Sequence, residues 1–362
     1  MSDFWHAYLF AFLFWLCIPL GALSLLLFNH VSGGAWGWIA RRQLEAASLT
    51  LPVMAIVFIP LWFNLPHVFP WALPPGAPLS HMAGAALATG LPPGNQAAYL
   101  AVPFLLGRAV AYFAVWIAIA ALLSGASLRQ DREERPDPAL DAWMTRLSYV
   151  GIGLMVLSVS FFAVDWLMSL EPNFSSALFG LRYFTGALLC GGATMTLSTA
   201  ILHRRIPQFE PLHLQDMGTL TFGLLLLFVY LAYMEYLIVW AEDLPKDTAW
   251  FFLRSGNGWQ WVMLTIFLGG VALPFLLLLN RQLKRTPRLV GPVMGLLLVG
   301  HAIWMFWAVM PESSPTFTVT AWDVGLWLSV GVIWVGSYAM IVSRLPLLPR
   351  HHPPLHEVYA LE

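Results

Sequence analysis

The chain has 362 residues, 59% of them hydrophobic and 10% charged, with a mean hydropathy of +0.71. Soluble domains carry about 25% charged residues, so lipid is the solvent for most of this chain, and a soluble enzyme, a secreted disulfide scaffold and a disordered hub are excluded. The net charge of −1 leaves no basic excess to neutralise phosphates, which removes nucleic acid as a partner.

Nine apolar runs are long enough to cross about 30 Å of hydrocarbon. The first, Tyr8–Phe28, has no Lys or Arg before it and leads straight into further spans, so it reads as a membrane helix and not as a cleavable signal. Leu44–Asn64 follows Arg41 and Arg42. Segment 65–96 is rich in Pro, Gly and Ala and carries no Lys, Arg, Asp or Glu. It reads either as a loop packed on the membrane surface or a partner, or as a floppy linker. Ala98–Leu123 contains Arg108, and Leu147–Ser169, beyond a short charged loop, contains Asp165. Ala177–Ile201 carries Arg182, and Met217–Ala241 carries Glu235. Gly258–Asn280, Arg288–Met310 with His301, and Trp322–Ser343 complete the set. The expected organisation is a transmembrane region, 1-344, and a disordered cytoplasmic tail, 345-362, in which His351 and His352 stand among prolines.

Basic residues set the expected orientation. Alternating spans place fourteen Lys and Arg in the connections on one side and only Lys246 and Arg254 on the other. The expected topology is therefore an all-α polytopic membrane protein with its N-terminus outside and its C-terminus inside.

Cys17 and Cys190 lie inside apolar runs and read as small apolar fillers. No Cys-x-x-Cys occurs, so no cysteine-ligated iron–sulfur cluster and no covalently attached haem is expected. Apart from His301, the histidines fall at span ends, in loops or in the tail, which leaves no pair to hold haem b across helices and no metal site.

The ionisable groups within spans are the candidates for chemistry. At about 1.5 Å per residue, Asp165, Glu235 and Arg182 lie some 6–9 Å below the outer face, and Arg108 and His301 roughly 13–15 Å below it. Counted from Asn173, Asp165 is eight residues back and Arg182 nine forward, so antiparallel neighbours bring the two to one height, within reach of an ion pair. That pair reads either as a fixed tie of the hairpin or as a functional carboxylate. Glu235, within Tyr233-Met234-Glu235-Tyr236, reads as a proton-transfer group or as a neutral acid hydrogen-bonded to a tyrosine. His301, ahead of Trp304 and Trp307, reads as packing or as a ligand.

Several strings then appear in a set order. Phe12-Leu13-Phe14-Trp15 precedes Asn29-His30-Val31-Ser32-Gly33-Gly34-Ala35-Trp36-Gly37 and Arg41-Arg42-Gln43-Leu44-Glu45-Ala46-Ala47. Leu65-Pro66-His67, Asp165-Trp166-Leu167-Met168-Ser169-Leu170-Glu171-Pro172, Leu244-Pro245 and Leu273-Pro274-Phe275 follow. Over nearly the whole chain this order resembles ActF, a membrane subunit of bacterial alternative complex III and a distant relative of the NrfD/PsrC membrane anchors. The resemblance implies NrfD/PsrC-like helical bundles in a bacterial inner membrane. It implies quinol oxidation by the complex, with electrons passing through iron–sulfur and haem c groups in partner subunits to cytochrome c or an oxidase. The implied partners are an ActC-like sister subunit, to which the quinol site belongs most securely, an ActB-like iron–sulfur subunit and cytochrome c subunits. A proton-conducting role is implied for the ActF-like subunit itself, with quinone or quinol as its ligand. Family members carry one more span before the Phe12-Trp15 region, and relative to that pattern one peripheral helix is missing here.

On this reading Asp165 and Glu235 are the candidate proton groups, with Arg108, Arg182 and His301 orienting or neutralising them. Two other classes compete. A purely structural anchor would use the same charges only to hold helices together. An ion-coupled transporter would require paired helix breaks at the midplane, and Pro103 and Pro274 lack such pairing.

Overall fold

The computed structural model describes residues 2–72, 98–206 and 209–350. Most of the expected loop 65–96, and His351 and His352, lie outside the described residues. Among those residues there are nine helical spans of membrane length and no strand. The first span is α1 (Ser2–Ser32), and α2 (Ala35–Ser48) with α3 (Leu51–Phe63) makes the second. Four long helices follow: α4 (Val102–Gln130), α5 (Pro138–Trp166), α6 (Phe179–Leu202) and α7 (Pro211–Glu242). After the short α8 (Pro245–Leu253), the seventh span is built from α9 (Trp259–Thr265), a π-helical stretch (Ile266–Ala272) and α10 (Leu273–Leu278). The short α11 (Arg281–Arg285) leads to α12 (Pro287–Val309) and α13 (Ala321–Arg344), the last two spans.

Two spans are interrupted near their middles, and proline accounts for both. Pro52, second in α3, has no N–H for the carbonyl four residues back, and the chain turns at Leu49–Thr50. There Thr50 Oγ1 donates to the Ala47 carbonyl at 2.6 Å and accepts Trp334 Nε1 at 2.9 Å. Pro274 follows the π-helical stretch, whose wider turn accommodates the missing donor. Pro103, by contrast, sits in the first turn of α4, where no donor is needed. The second span is also longer than expected: it begins at Trp36, so Arg41 and Arg42 belong to a helix and not to a loop.

Contacts between helix ends define two faces. Phe4 meets Trp322 edge-on at 5.1 Å, Trp71 Nε1 donates to the Ser169 carbonyl, and Ser175 N donates to Asp247. These ends share the face at which α1 begins, the N-face. On the opposite, basic face, Asp131 accepts from Arg350 N at 2.9 Å, Lys284 Nζ donates to Thr219, and Arg285 Nε donates to Gln215. The described start of the expected loop is packed: Leu65, Val68 and Phe69 are buried beside Trp71.

The core is centred on α1, which is apolar on every side and is flanked by α6, α13, α2, α5 and α12. Its most apolar stretch is 94% buried, against 17% in α13, whose outward Val, Ile and Leu side chains suit lipid. α1 and α6 approach closely at Gly21 and Gly191. A Cβ on Gly21 would lie 1.8 Å from the Ala187 carbonyl oxygen, so only glycine permits that contact.

Candidate functional site

The five candidates within the spans form two separate groups. In the first, Asp165 at the end of α5 receives a bidentate contact from Arg108 on α4, with Nε–Oδ2 at 3.0 Å and Nη2–Oδ1 at 2.8 Å. Tyr112, one turn after Arg108, adds its hydroxyl to Oδ2 at 3.0 Å. Arg108 spends a further donor on the Tyr99 carbonyl at 3.0 Å, and its guanidinium lies over the Tyr99 and Phe104 rings at 3.9 and 4.4 Å. Asp165 is fully buried, and three donors satisfy it.

The expected Asp165–Arg182 pair is not formed. Height along the hairpin is a one-dimensional argument, whereas each side chain also points in a direction around its helix. Asp165 faces α4, and Arg182 faces α7, where Nη1 pairs with Glu235. The connection is also no simple turn: a 3-10 turn, Met168–Leu170, and the buried Phe174 separate the two helices.

The second group is held differently. Arg182 and Glu235 are 3% and 1% exposed, and neither Glu235 oxygen has a hydrogen bond from any other group. Arg182 Nε and Nη2 likewise donate to nothing. The guanidinium is surrounded instead by Phe179 at 5.0 Å, Trp304 at 5.0 Å and Trp250 at 5.7 Å, whose ring faces offset part of its desolvation. His301 on α12 stacks on the same Trp304 at 5.0 Å and meets Phe228 at 5.3 Å. Both of its ring nitrogens are buried without a hydrogen-bond partner. Gly186 on α6 makes the space for the ring, since a Cβ there would lie 2.5 Å from His301 Cε1.

Above this group, toward the N-face, lies a set of residues that the sequence reading assigned to loops. Arg254 is 1% exposed and donates to Glu312 Oε1 and the Ala308 carbonyl at 2.8 Å, and to the Trp250 carbonyl at 2.9 Å. Its guanidinium covers Trp250 at 3.8 Å, so this one indole stands between Arg254 and Arg182. Glu171 is close enough for the Glu312 charge to act on it. Burial and that like charge push its carboxyl above the usual carboxylate range, while burial lowers Arg254 from its ordinary value. Glu235, Arg182, Trp250, Arg254 and Glu312 thus form a charged, aromatic column from the interior toward the N-face. One signal pointed to it: Arg254 is a lone arginine following Trp250-Phe251-Phe252, a setting that favours burial over solvation.

A third cluster lies near the basic face. Arg42 pairs with Glu45 and Asp131 and donates to Ser127 Oγ at 3.1 Å, with Arg42 and Glu45 almost fully buried. Arg42 is therefore part of an internal tie joining α2 to α4.

A scan against known protein families finds no matching model, and a search of curated proteins finds no matching relative.

Proposed function

We propose that this chain is an integral subunit of a respiratory quinol-oxidising complex of the alternative complex III type, oriented with the N-face outside. In this reading its own contribution is proton handling at Glu235, and the redox groups reside in partner subunits docked on the N-face. The ordered strings from Phe12-Leu13-Phe14-Trp15 to Leu273-Pro274-Phe275 support membership of such a complex. The observation that carries the site is the sparse coordination of Glu235 at the foot of the Arg182–Trp250–Arg254–Glu312 column. A carboxylate with a single partner can take a proton by giving up one contact, whereas Asp165 would have to give up three.

Quinol oxidation releases two protons and two electrons. Glu235 receives a proton, Arg182 stabilises its charged form, and Glu312 and Glu171 pass the proton toward the N-face. Arg108 and Asp165 are assigned to holding α4 against α5. The test is purification of the tagged protein in mild detergent, with identification of what accompanies it, haem c absorption and quinone extraction. Haem- and iron–sulfur-bearing subunits are expected, together with at least a tenfold fall in quinol-dependent turnover in Glu235→Gln at unchanged subunit content. A lone, colourless, stable protein would overturn the reading.

The interrupted spans at Leu49–Thr50 and Ile266–Ala272 favour one second reading, an ion-coupled transporter with broken helices near the midplane. Such a protein would exchange ions in vesicles without partner subunits.

A further inference from the structure

An open-sided groove of about 460 Å³ lies on the N-face half of the molecule, between α1, α9, α12 and α13. That volume falls in the range of small-molecule sites, about 300–1,000 Å³. Its rim residues Trp261, Val319 and Val324 are 65%, 57% and 51% exposed, so it opens sideways to the membrane. Five of its lining residues are aromatic: Phe10, Trp261, Phe306, Phe317 and Trp327.

Among this lining, Asp323 is the one carboxylate, and it is only 3% exposed. Its Oδ2 accepts from Thr320 N at 2.6 Å and Thr320 Oγ1 at 2.9 Å, capping α13, while Oδ1 has no hydrogen-bond partner. Trp327, another lining residue, carries a buried Nε1–H that donates to nothing. The two are four residues apart on α13 and therefore on one face of the helix, about 5–6 Å apart at Cβ. An acceptor and a donor, each buried without a hydrogen bond, thus belong to neighbouring residues on one face of α13, among the aromatic lining of the groove.

We infer that this groove binds a membrane-soluble molecule with a hydroxylated aromatic head and an apolar tail, a hydroquinone in class. A small outward movement of Asp323 and Trp327 brings their free atoms to the head. A phenolic O–H donates to Asp323 Oδ1, and a phenolic oxygen accepts from Trp327 Nε1. The ring packs among Phe306, Phe317 and Trp327, and the tail leaves between Trp261 and Val324 into lipid. An acyl chain alone satisfies neither polar atom, and a phospholipid phosphate is repelled by the carboxylate. Trp327 also touches Phe14 at 5.7 Å, and Phe14 lies 6.4 Å from His301, so two rings separate the groove from the Arg182–Glu235 group. The choice of ligand class rests on the proposed quinol-oxidising reading; the groove and its unpaired atoms do not.

The experiment uses the purified full chain, with any accompanying subunits, in lipid nanodiscs. The probe is a decyl hydroquinone bearing a photoreactive azide, with the labelled peptides mapped by mass spectrometry. Labelling is expected on the peptides around Phe317–Trp327 and Trp261–Thr265. Excess decyl hydroquinone should compete, and its dimethyl ether, which keeps ring and tail but has no O–H, should not. Asp323→Asn keeps an oxygen to cap α13 and should weaken binding about tenfold, the loss of one hydrogen bond to a charged group. Ala302→Trp, which puts a large ring into the groove, should abolish labelling. Labelling elsewhere, equal competition by the dimethyl ether, or unchanged binding in Asp323→Asn overturns the inference. Failure here with haem-bearing partners still present removes the groove and leaves the subunit reading intact. Absence of those partners with specific labelling does the reverse.

Discussion

Two of the arginine–carboxylate pairs within this helical bundle, Arg108–Asp165 and Arg182–Glu235, are built on opposite plans. At Arg108–Asp165 each guanidinium nitrogen and both carboxylate oxygens are engaged: two guanidinium contacts, a tyrosine hydroxyl and a backbone carbonyl hold the pair. At Arg182–Glu235 a single contact joins the charges, and aromatic rings take the place of further hydrogen bonds. A saturated pair fixes two helices in register and is hard to protonate without loss of structure. A sparse pair leaves its carboxylate free to change protonation state at the cost of one interaction. On the proposed reading the difference separates a tie from a site, although both look alike as charges within apolar runs.

The largest expected effect comes from breaking the tie. Asp165→Ala leaves Arg108 without its carboxylate and Tyr112 without an acceptor. Thermal unfolding in detergent should show a loss of about 3–5 kcal/mol, the cost of uncompensating a buried pair. A loss below about 1 kcal/mol would place Asp165 among the free carboxylates and dissolve the contrast.

The second test replaces each pair as a whole. Arg182→Met with Glu235→Gln removes two desolvated charges and few hydrogen bonds, so stability should stay within about 1 kcal/mol of native or rise. Arg108→Met with Asp165→Leu strands the Tyr99 carbonyl and the Tyr112 hydroxyl, and should fall at least about 2 kcal/mol below the first double variant. Equal melting temperatures for the two doubles would show that the pairs are energetically alike.

His301 sharpens the comparison on the sparse side. His301→Phe retains the ring against Trp304 and Phe228 and removes two unpaired nitrogens, so stability should rise by about 1 kcal/mol. Quinol-dependent turnover should fall in the same variant if the imidazole serves the proton route; unchanged turnover would reduce His301 to packing.

The smallest effect concerns the N-face end of the column. Burial and Glu312 raise the folded-state pKa of Glu171 above its unfolded value. Its contribution to stability is therefore fully present below the unfolded pKa and is lost as pH rises through the folded one. Glu171→Gln should melt slightly higher than the native protein near about pH 8, and the gap should close toward about pH 4. A gap that grows in acid would mean that Glu171 is held ionised by Arg254.

Much of this protein is set by composition and spacing. Nine runs of apolar residues give nine spans among the described residues, because lipid leaves the backbone no partner but its own helix. Charges within those runs are conspicuous, and Arg108, Asp165, Arg182, Glu235 and His301 are all partly or fully buried in the fold. What the sequence could not decide is which of them meet. Pairing depends on the direction each side chain takes around its helix and on which helices are neighbours, so Asp165 turns to Arg108 and not to Arg182. Arg42, Arg254 and Glu312 lie at the ends of apolar runs, where a charge can face either water or protein; only the packing of α2 on α4 and of α8 over α12 buries them. The same holds for the breaks. Pro52 and Pro274 are legible as residues, but whether a proline bends a helix, widens it or starts it follows from the neighbours that receive the freed backbone groups. Sequence thus determined the solvent, the number of spans and the expensive residues, because each is a local property of the chain. Tertiary structure decided which charges became ties and which remained available, because that is a property of neighbours far apart in sequence.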